Sequence, residues 1–436
     1  MAMISTHNEQ VPAGYKNTEV GLIPEDWNIL SLQELTDKSN PITYGVLKPG
    51  DYTNNGIPLL QIKDVIHGKI KIEELHKISK ELDSQYSRTR LYGGEIVISL
   101  VGTIGRIAYI PSFLSGANLH RNLAKISIAK KYESEFIFYQ LESTRIQESI
   151  KLTTFGSTQS LLNLADLRAL LLVLPPLPEQ KAIAQVLSDT DTLISALNKL
   201  IAKKRNIKTA TMQQLLTGKK RLPGFGEGKG YKNTEVGLIP EDWEVKKLID
   251  VVDYADYRGK TPPKKKSGIF LVTARNIRDG WIDYEVSKEY ISEADYDKVM
   301  RRGQPKIGDV IITTEAPLGN VATVDNENIA LAQRVIKYRA KDNNLTQNYL
   351  KYYLLSEKFQ RLLYDNSSGS TAQGIKGSIL HTLPIILSTS KEQKAIAQTL
   401  SDMDAEITAL ETRLNKTKAI KQGMMQELLT GKVRLK

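Results

Sequence analysis

Several short segments carry side chains suited to nucleic-acid chemistry, and most of them occur in pairs along this 436-residue chain. Thr-Ala-Arg-Asn at 273–276 follows a strand-like run. There Arg275 can donate two bonds to guanine and Asn276 can pair with adenine. Its counterpart, Gln-Ile-Lys-Asp at 61–64, puts Lys63 and Asp64 at the same places. Asn118, His120, Arg121 and Asn122 align with Ala330, Ala332, Gln333 and Arg334. Two Gly-Ser-Thr stretches offer hydroxyls and amides from Ser157, Thr158 and Gln159 and from Ser370, Thr371 and Gln373, although each is equally a plain turn. A basic, turn-rich stretch at 257–266 contributes Arg258, Lys260, Lys264 and Lys265, which can neutralise phosphates or simply be solvated. Tyr44, Lys48 and Arg106 complete the set of candidate contacts.

No motif for covalent or metal-assisted chemistry accompanies them. Leu-Thr-Gly-Lys at 216–219 and 429–432 resembles the end of a phosphate loop, but Gln213 and Gln426 stand where the first glycine is needed. Those glycines suit helix C-caps instead. No G-x-G-x-x-G or H-E-x-x-H is present, and His7, His67, His76, His120 and His381 have no metal-ligand spacing. The proline pairs in LPPLPEQ and TPPKKK lack the flanking Asn or Asp and aromatic of an amino-methyltransferase loop. Asp402 and Asp404 fall within a helical repeat, where acids solvate or cap. Cysteine is absent, which excludes disulfides, thiol catalysis and cysteine-bound metals and fits a cytoplasmic protein. The net charge of +11 is compatible with nucleic acid but also with an ordinary basic surface. The first residues lack a signal-peptide pattern, and the longest apolar run, 169–174, is too short to span a membrane. A nuclease with dispersed carboxylates, a methyltransferase with unrecognised motifs and a protein-only coiled-coil scaffold remain as alternative readings.

The elements that must position these residues are duplicated. GYKNTEVGLIPEDW occupies 14–27 and again 230–243, an offset of 216. Residues 179–222 return at 392–435 with 26 identities in 44 positions, at a constant offset of 213. The repeats divide the chain into an N-terminal region (1–177), a helical block (178–222), a second region (223–391) opened by a Gly-rich link at 223–230, and a closing helical block (392–436). Pro175, Pro176 and Pro178 end a strand-like run and suit the entry to a helix. In the second block Ser390 and Gln393 predict a capping box, and Gly218 and Gly431 predict C-caps.

Apolar residues in the helical blocks recur at alternating spacings of three and four. In the first they are Ile183, Leu187, Ile194, Leu197, Ile201 and Leu215. In the second they are Ile396, Leu400, Met403, Ile407, Leu410, Leu414, Met424 and Leu428. This seam predicts two long helices, each about 58 Å if unbroken, packed antiparallel as a coiled coil. Ser-Asp pairs at 188–189 and 401–402 are candidate kinks. Between them, β-branched runs such as EIVISLV and DVIITT read as buried strands, and IFYQLESTRIQESI and YLKYYLLSEKFQRLL read as helices. The fold expected is mixed α/β: two similar domains joined by two long antiparallel coiled-coil helices with pseudo-two-fold symmetry. The junctions are nearly identical between halves, whereas the domains keep a common apolar scaffold and differ in polar residues. Two different surfaces on one frame suit the reading of two different sequences.

The paired PLPEQKAIAQVLSDTD and KEQKAIAQTLSDMD segments, the LLTGK endings, the GLIPEDW pair and the G-D-V-I and G-S-T-A-Q elements resemble the specificity subunit of Type I restriction–modification systems. The proline-rich helix entry of that family is present only in the first copy. The resemblance implies two target-recognition domains, each reading one half of a split, asymmetric site in double-stranded DNA, with the helices fixing the spacer. It also implies docking of two modification subunits, which bind S-adenosylmethionine, and of restriction subunits that use ATP and Mg. This chain would bind no cofactor itself and would supply address and assembly.

Overall fold

The computed structural model describes residues 11–66, 68–154, 161–257, 262–369 and 373–435. It divides into two compact units, Met1–Leu197 with Arg413–Lys436, and Asn198–Thr412.

In the first unit an antiparallel hairpin, Tyr15–Thr18 with Gly21–Pro24, leads to Trp27, which has no exposed surface. The next strand, Asn28–Ser31, pairs antiparallel with Leu171–Leu174 and so closes the domain on itself. Between these lie a four-stranded antiparallel sheet in the order 107–109, 96–99, 123–126, 43–44, and a three-stranded sheet in the order 118–119, 57–60, 76–78. The strand Ile96–Ser99 explains why the sequence here is apolar without alternation. Side chains on a strand point to opposite faces in turn. Ile96 and Ile98 enter one core with Phe136 and Ile137, while Val97 enters a second core with Leu60 and Leu119. Both faces are therefore buried, and every residue of the strand must be small or apolar.

The second unit has the same plan. Its four-stranded sheet runs 252–256, 335–340, 310–314, 318–323, and its three-stranded sheet runs 290–291, 269–272, 329–331. Val310 and Ile312 face one core and Ile311 the other. The closing pair is Glu244–Lys247 with Pro384–Leu387.

The single helix expected in the second half of each domain is divided by a serine. Ser134–Glu142 and Thr144–Thr154 are separated at Ser143, and Gln347–Leu355 and Glu357–Asp365 at Ser356. Both serines adopt extended backbone, and Ser356 Oγ accepts from Phe359 N–H as an N-cap.

The long helices are Leu177–Leu215 and Ser390–Leu428, each 39 residues and continuous through the Ser-Asp pairs. Antiparallel packing is visible inside each unit. In the second unit Lys204 pairs with Glu406 at 2.6 Å and Lys208 pairs with Asp404. In the first, Lys421 pairs with Asp191 at 2.8 Å. The lysines that interrupt the seam, Lys204, Lys208 and Lys421, thus carry ion pairs between helices. Not all seam residues serve that packing. Ile183 and Leu187 sit in the core of the first domain, and Ile396 and Leu400 in that of the second. The opposite ends also enter domain cores, Leu428 and Leu429 in the first unit and Met212, Leu215 and Leu216 in the second. Gly218 and Gly431 are left-handed C-caps, with φ of 72° and 74°. The expected capping box is corrected: Thr389, not Ser390, caps the second helix, its Oγ1 accepting from Glu392 N–H at 3.4 Å. Gln393 instead stitches the helix to its domain, accepting from Thr346 N–H and donating to Asn344 and Ser388 carbonyls. No helix among the described residues is long and apolar enough to cross a membrane.

Candidate nucleic-acid interface

Three chain segments meet at one end of the four-stranded sheet in each domain. In the first, Leu100 N–H donates to Asn122 O at 2.8 Å, and Leu162 N–H donates to Leu100 O at 2.9 Å. Arg121 N–H reaches Val46 O, and His120 N–H reaches Leu60 O, both at 2.9 Å. Backbone bonds therefore gather the neighbourhoods of Tyr44, His120, Arg121 and Asn122. Tyr44, Lys48 and Arg121 are exposed there, and His120 and Asn122 are half-buried. His120 Nδ1 accepts from Asn122 N–H at 3.3 Å. Burial, then Arg121 and His76, push the imidazole pKa below its ordinary value, so His120 is neutral at pH 7.

The second domain repeats the arrangement with other side chains. Thr314 N–H donates to Arg334 O at 2.9 Å, and Ile375 N–H donates to Thr314 O at 3.0 Å. Around them is a recess of about 480 Å³ lined by Thr314, Glu315, Gln333, Arg334, Ser368, Gly374, Ile375 and Lys376. Arg334 Nε lies 3.5 Å from Glu315 Oε2.

The other candidates fall differently. Lys63, Arg106, Arg275 and Gln373 are exposed. Lys264 pairs with Glu289 at 2.8 Å, and Lys265 is exposed while its N–H bonds Tyr290 O. Asn276 is corrected from a base reader to a turn former. It has no exposed surface, its Oδ1 accepts from Thr273 N–H and Oγ1, and its Nδ2 donates to the carbonyls of Asp283 and Ser287. Its counterpart Asp64 is likewise buried and accepts from Gln61 N–H at 2.8 Å. Ser157, Thr158, Gln159, Arg258, Lys260, Ser370 and Thr371 lie outside the described residues. Among the described residues no cluster of His, Asp or Glu could hold a metal ion.

Sequence reasoning missed the joints that hold each surface on its helices. In the first unit Arg434 donates to both oxygens of Glu179 at 2.7 Å and to both oxygens of Asp26 at 2.9 and 2.7 Å. It stacks 5.5 Å above the Trp27 ring, whose Nε1–H donates to Glu179 at 3.2 Å. In the second unit Arg221, Glu392, Asp242 and Trp243 repeat this cage. The bond to Arg221 holds the Asp242 carboxyl below its usual range. A second repeated joint joins Tyr139, Asp191 and Lys421 in the first unit, and Tyr352, Asp404 and Lys208 in the second. Each tyrosine hydroxyl donates to its aspartate at 2.9 or 2.8 Å, and burial raises its pKa first, the aspartate adding to this. The signal was present: these residues sit at the repeat offsets of 213 and 216, all but Tyr139 and Tyr352 inside the segments that are nearly identical between halves.

Comparison with known proteins agrees with this architecture. The family model described as Type I restriction modification DNA specificity domain matches twice, at residues 24–208 and 240–421. The putative Type I restriction enzyme MjaX specificity subunit of Methanocaldococcus jannaschii is 28% identical over 97% of both chains. The MjaVIII specificity subunit of the same organism is 32% identical over 69% of this chain and 70% of its own. The crystal structure of a Type I restriction–modification S subunit from M. genitalium shares the fold, with a TM-score of 0.57 at 14% identity over 92% of this chain and 96% of that one. The chain belongs to the Type I restriction–modification specificity subunit family and carries the family's DNA specificity domain twice.

Proposed function

We propose that this chain supplies the DNA address of a Type I restriction–modification complex, each domain reading one half of a bipartite, asymmetric site. One observation carries the reading. The same three-segment junction is built in both domains, but with His120, Arg121 and Asn122 in one and Ala332, Gln333 and Arg334 in the other. The joints to the helices, by contrast, use the same residues in both copies. A constant frame bearing two different hydrogen-bonding surfaces is what an asymmetric target requires. The long helices act as the spacer ruler and as the seat for two modification subunits. S-adenosylmethionine belongs to those subunits, and ATP and Mg to restriction subunits. The chain itself contributes recognition and assembly and performs no bond-making step.

The test is co-expression with the cognate modification subunit, followed by methylome sequencing of host DNA. Methylated adenines in one bipartite motif, absent without this chain, are the expected result. Absence of new methylation from a stable complex overturns the reading. Exchange of residues 28–177 for a homologous domain changes one half of the motif only. Insertion of equal whole turns in both helices changes its spacer only.

A further inference from the structure

Asn122 and Arg334 hold the same structural position. Each carbonyl accepts the N–H of a residue at the end of the central strand, Leu100 just after it or Thr314 as its last residue, and that residue's own carbonyl accepts from Leu162 or Ile375. The two residues therefore occupy matching places in the two junctions, although only Arg334 is left-handed.

Arg334 is held there with φ of 75°. Left-handed backbone is costly for a long side chain, and such costs persist where the surroundings impose them. The guanidinium is nearly half exposed, at 46%, and faces the Glu315 carboxylate, at 43%. An exposed arginine alone would accept a phosphate as readily as a base. A carboxylate 3.5 Å from its Nε repels phosphate and so biases the fork toward an uncharged partner. The two groups together match one base pair: arginine donates to guanine O6 and N7, and a carboxylate accepts from cytosine N4–H. In the first domain no carboxylate takes the place of Glu315, which corresponds to Val101, and an asparagine amide suits adenine N6 and N7.

We propose that this shared position sets base identity in both half-sites: Arg334, oriented by Glu315, demands a G·C pair in the half read by the second domain, and Asn122 demands an A·T pair in the half read by the first. The inference rests on the recognition function proposed above. It is tested in the complex with the modification subunit, using Arg334→Gly, which removes the side chain and adopts left-handed backbone freely, and Asn122→Ala. Methylome sequencing is expected to show a guanine requirement relaxed at one position of one half after Arg334→Gly. It is expected to show an adenine requirement relaxed at one position of the other half after Asn122→Ala. The same complexes are assayed by competition binding on duplexes with each base pair replaced in turn, which reports even on a variant that no longer methylates. Discrimination at the assigned pair falls from roughly tenfold to hundredfold in the parent to under about twofold in the variant. An unchanged motif, or a loss spread evenly over all positions, overturns the proposal. A parent complex without any bipartite motif overturns the functional reading itself, and the proposal with it.

Discussion

Replacing Arg434 by alanine should lower the melting temperature of the first unit by roughly 6–12 °C. The magnitude follows from which of its partners is buried. Glu179 is 6% exposed and receives two guanidinium bonds, whereas Asp26 is 52% exposed. Removing one partner of a buried ion pair costs about 3–5 kcal/mol, because the remaining charge has lost its counter-ion. The lower end applies here, since the Trp27 indole and Leu435 N–H still donate to Glu179. The exposed Asp26 arm adds about 0–1 kcal/mol. A loss near 3 kcal/mol, at about 2–4 °C per kcal/mol for a unit of this size, gives the stated shift. Scanning calorimetry of the full chain measures it. Arg221→Ala supplies the matching perturbation in the second unit, and its effect should be at least as large, because Glu392 has no exposure there. Asp26→Asn is the internal control and should shift the transition by no more than about 4 °C. If Arg434→Ala costs no more than Asp26→Asn, the buried carboxylate is not what the arginine stabilises and the argument fails.

Three further outcomes are expected. Gly218→Ala should cost about 2–4 kcal/mol in urea unfolding, since φ is 72° and the added Cβ would lie 2.4 Å from Pro240 Cδ; a loss below about 1 kcal/mol would mean the joint yields freely. Tyr352→Phe should cost about 1–2 kcal/mol by removing the hydroxyl bond to Asp404, and a neutral midpoint shift would assign that aspartate entirely to its lysines. NMR titration of His120 should give a midpoint below 6.5. Because the folded pKa is the lower one, the unfolded chain binds this proton first, so the site costs no stability above pH 6.5 and becomes destabilising as pH falls through that window. A midpoint at or above 6.5 would contradict the burial of the ring.

Much of the architecture was legible because it follows from periodicity. The seam at 396–428 alternates by three and four, and all of its positions are buried or half-buried. EIVISLV and DVIITT read as strands because both faces needed apolar cover. What misled was local competition. A serine inside an apolar helical pattern looks tolerable, yet at 143 and 356 its extended backbone ends one helix and starts the next. Ile183 and Ile396 fit a coiled-coil spacing equally well whether a domain or a helix covers them. The site was harder to read. Asn276 has the chemistry of a base reader, but its amide closes a turn, a use that leaves no trace in residue type. Arg334 was recognisable as a cation, whereas its left-handed backbone and its placement against Glu315 depend on strands far apart in sequence.

The composition of the units bears on how the chain is made. The second unit draws on one unbroken stretch, 198–412, and can close as soon as that stretch leaves the ribosome. The first is interrupted: Trp27 and Ile23 emerge early, but Leu428, Leu429 and Arg434 arrive last. At about 5–20 residues per second, the earlier-made domain waits on the order of ten seconds or more for its final pieces. The part synthesised first therefore matures last, and its apolar floor stays uncovered during that interval. A chain truncated after residue 412 and released should carry a folded second unit beside an incomplete first one, with Trp27 open to chaperones and proteases.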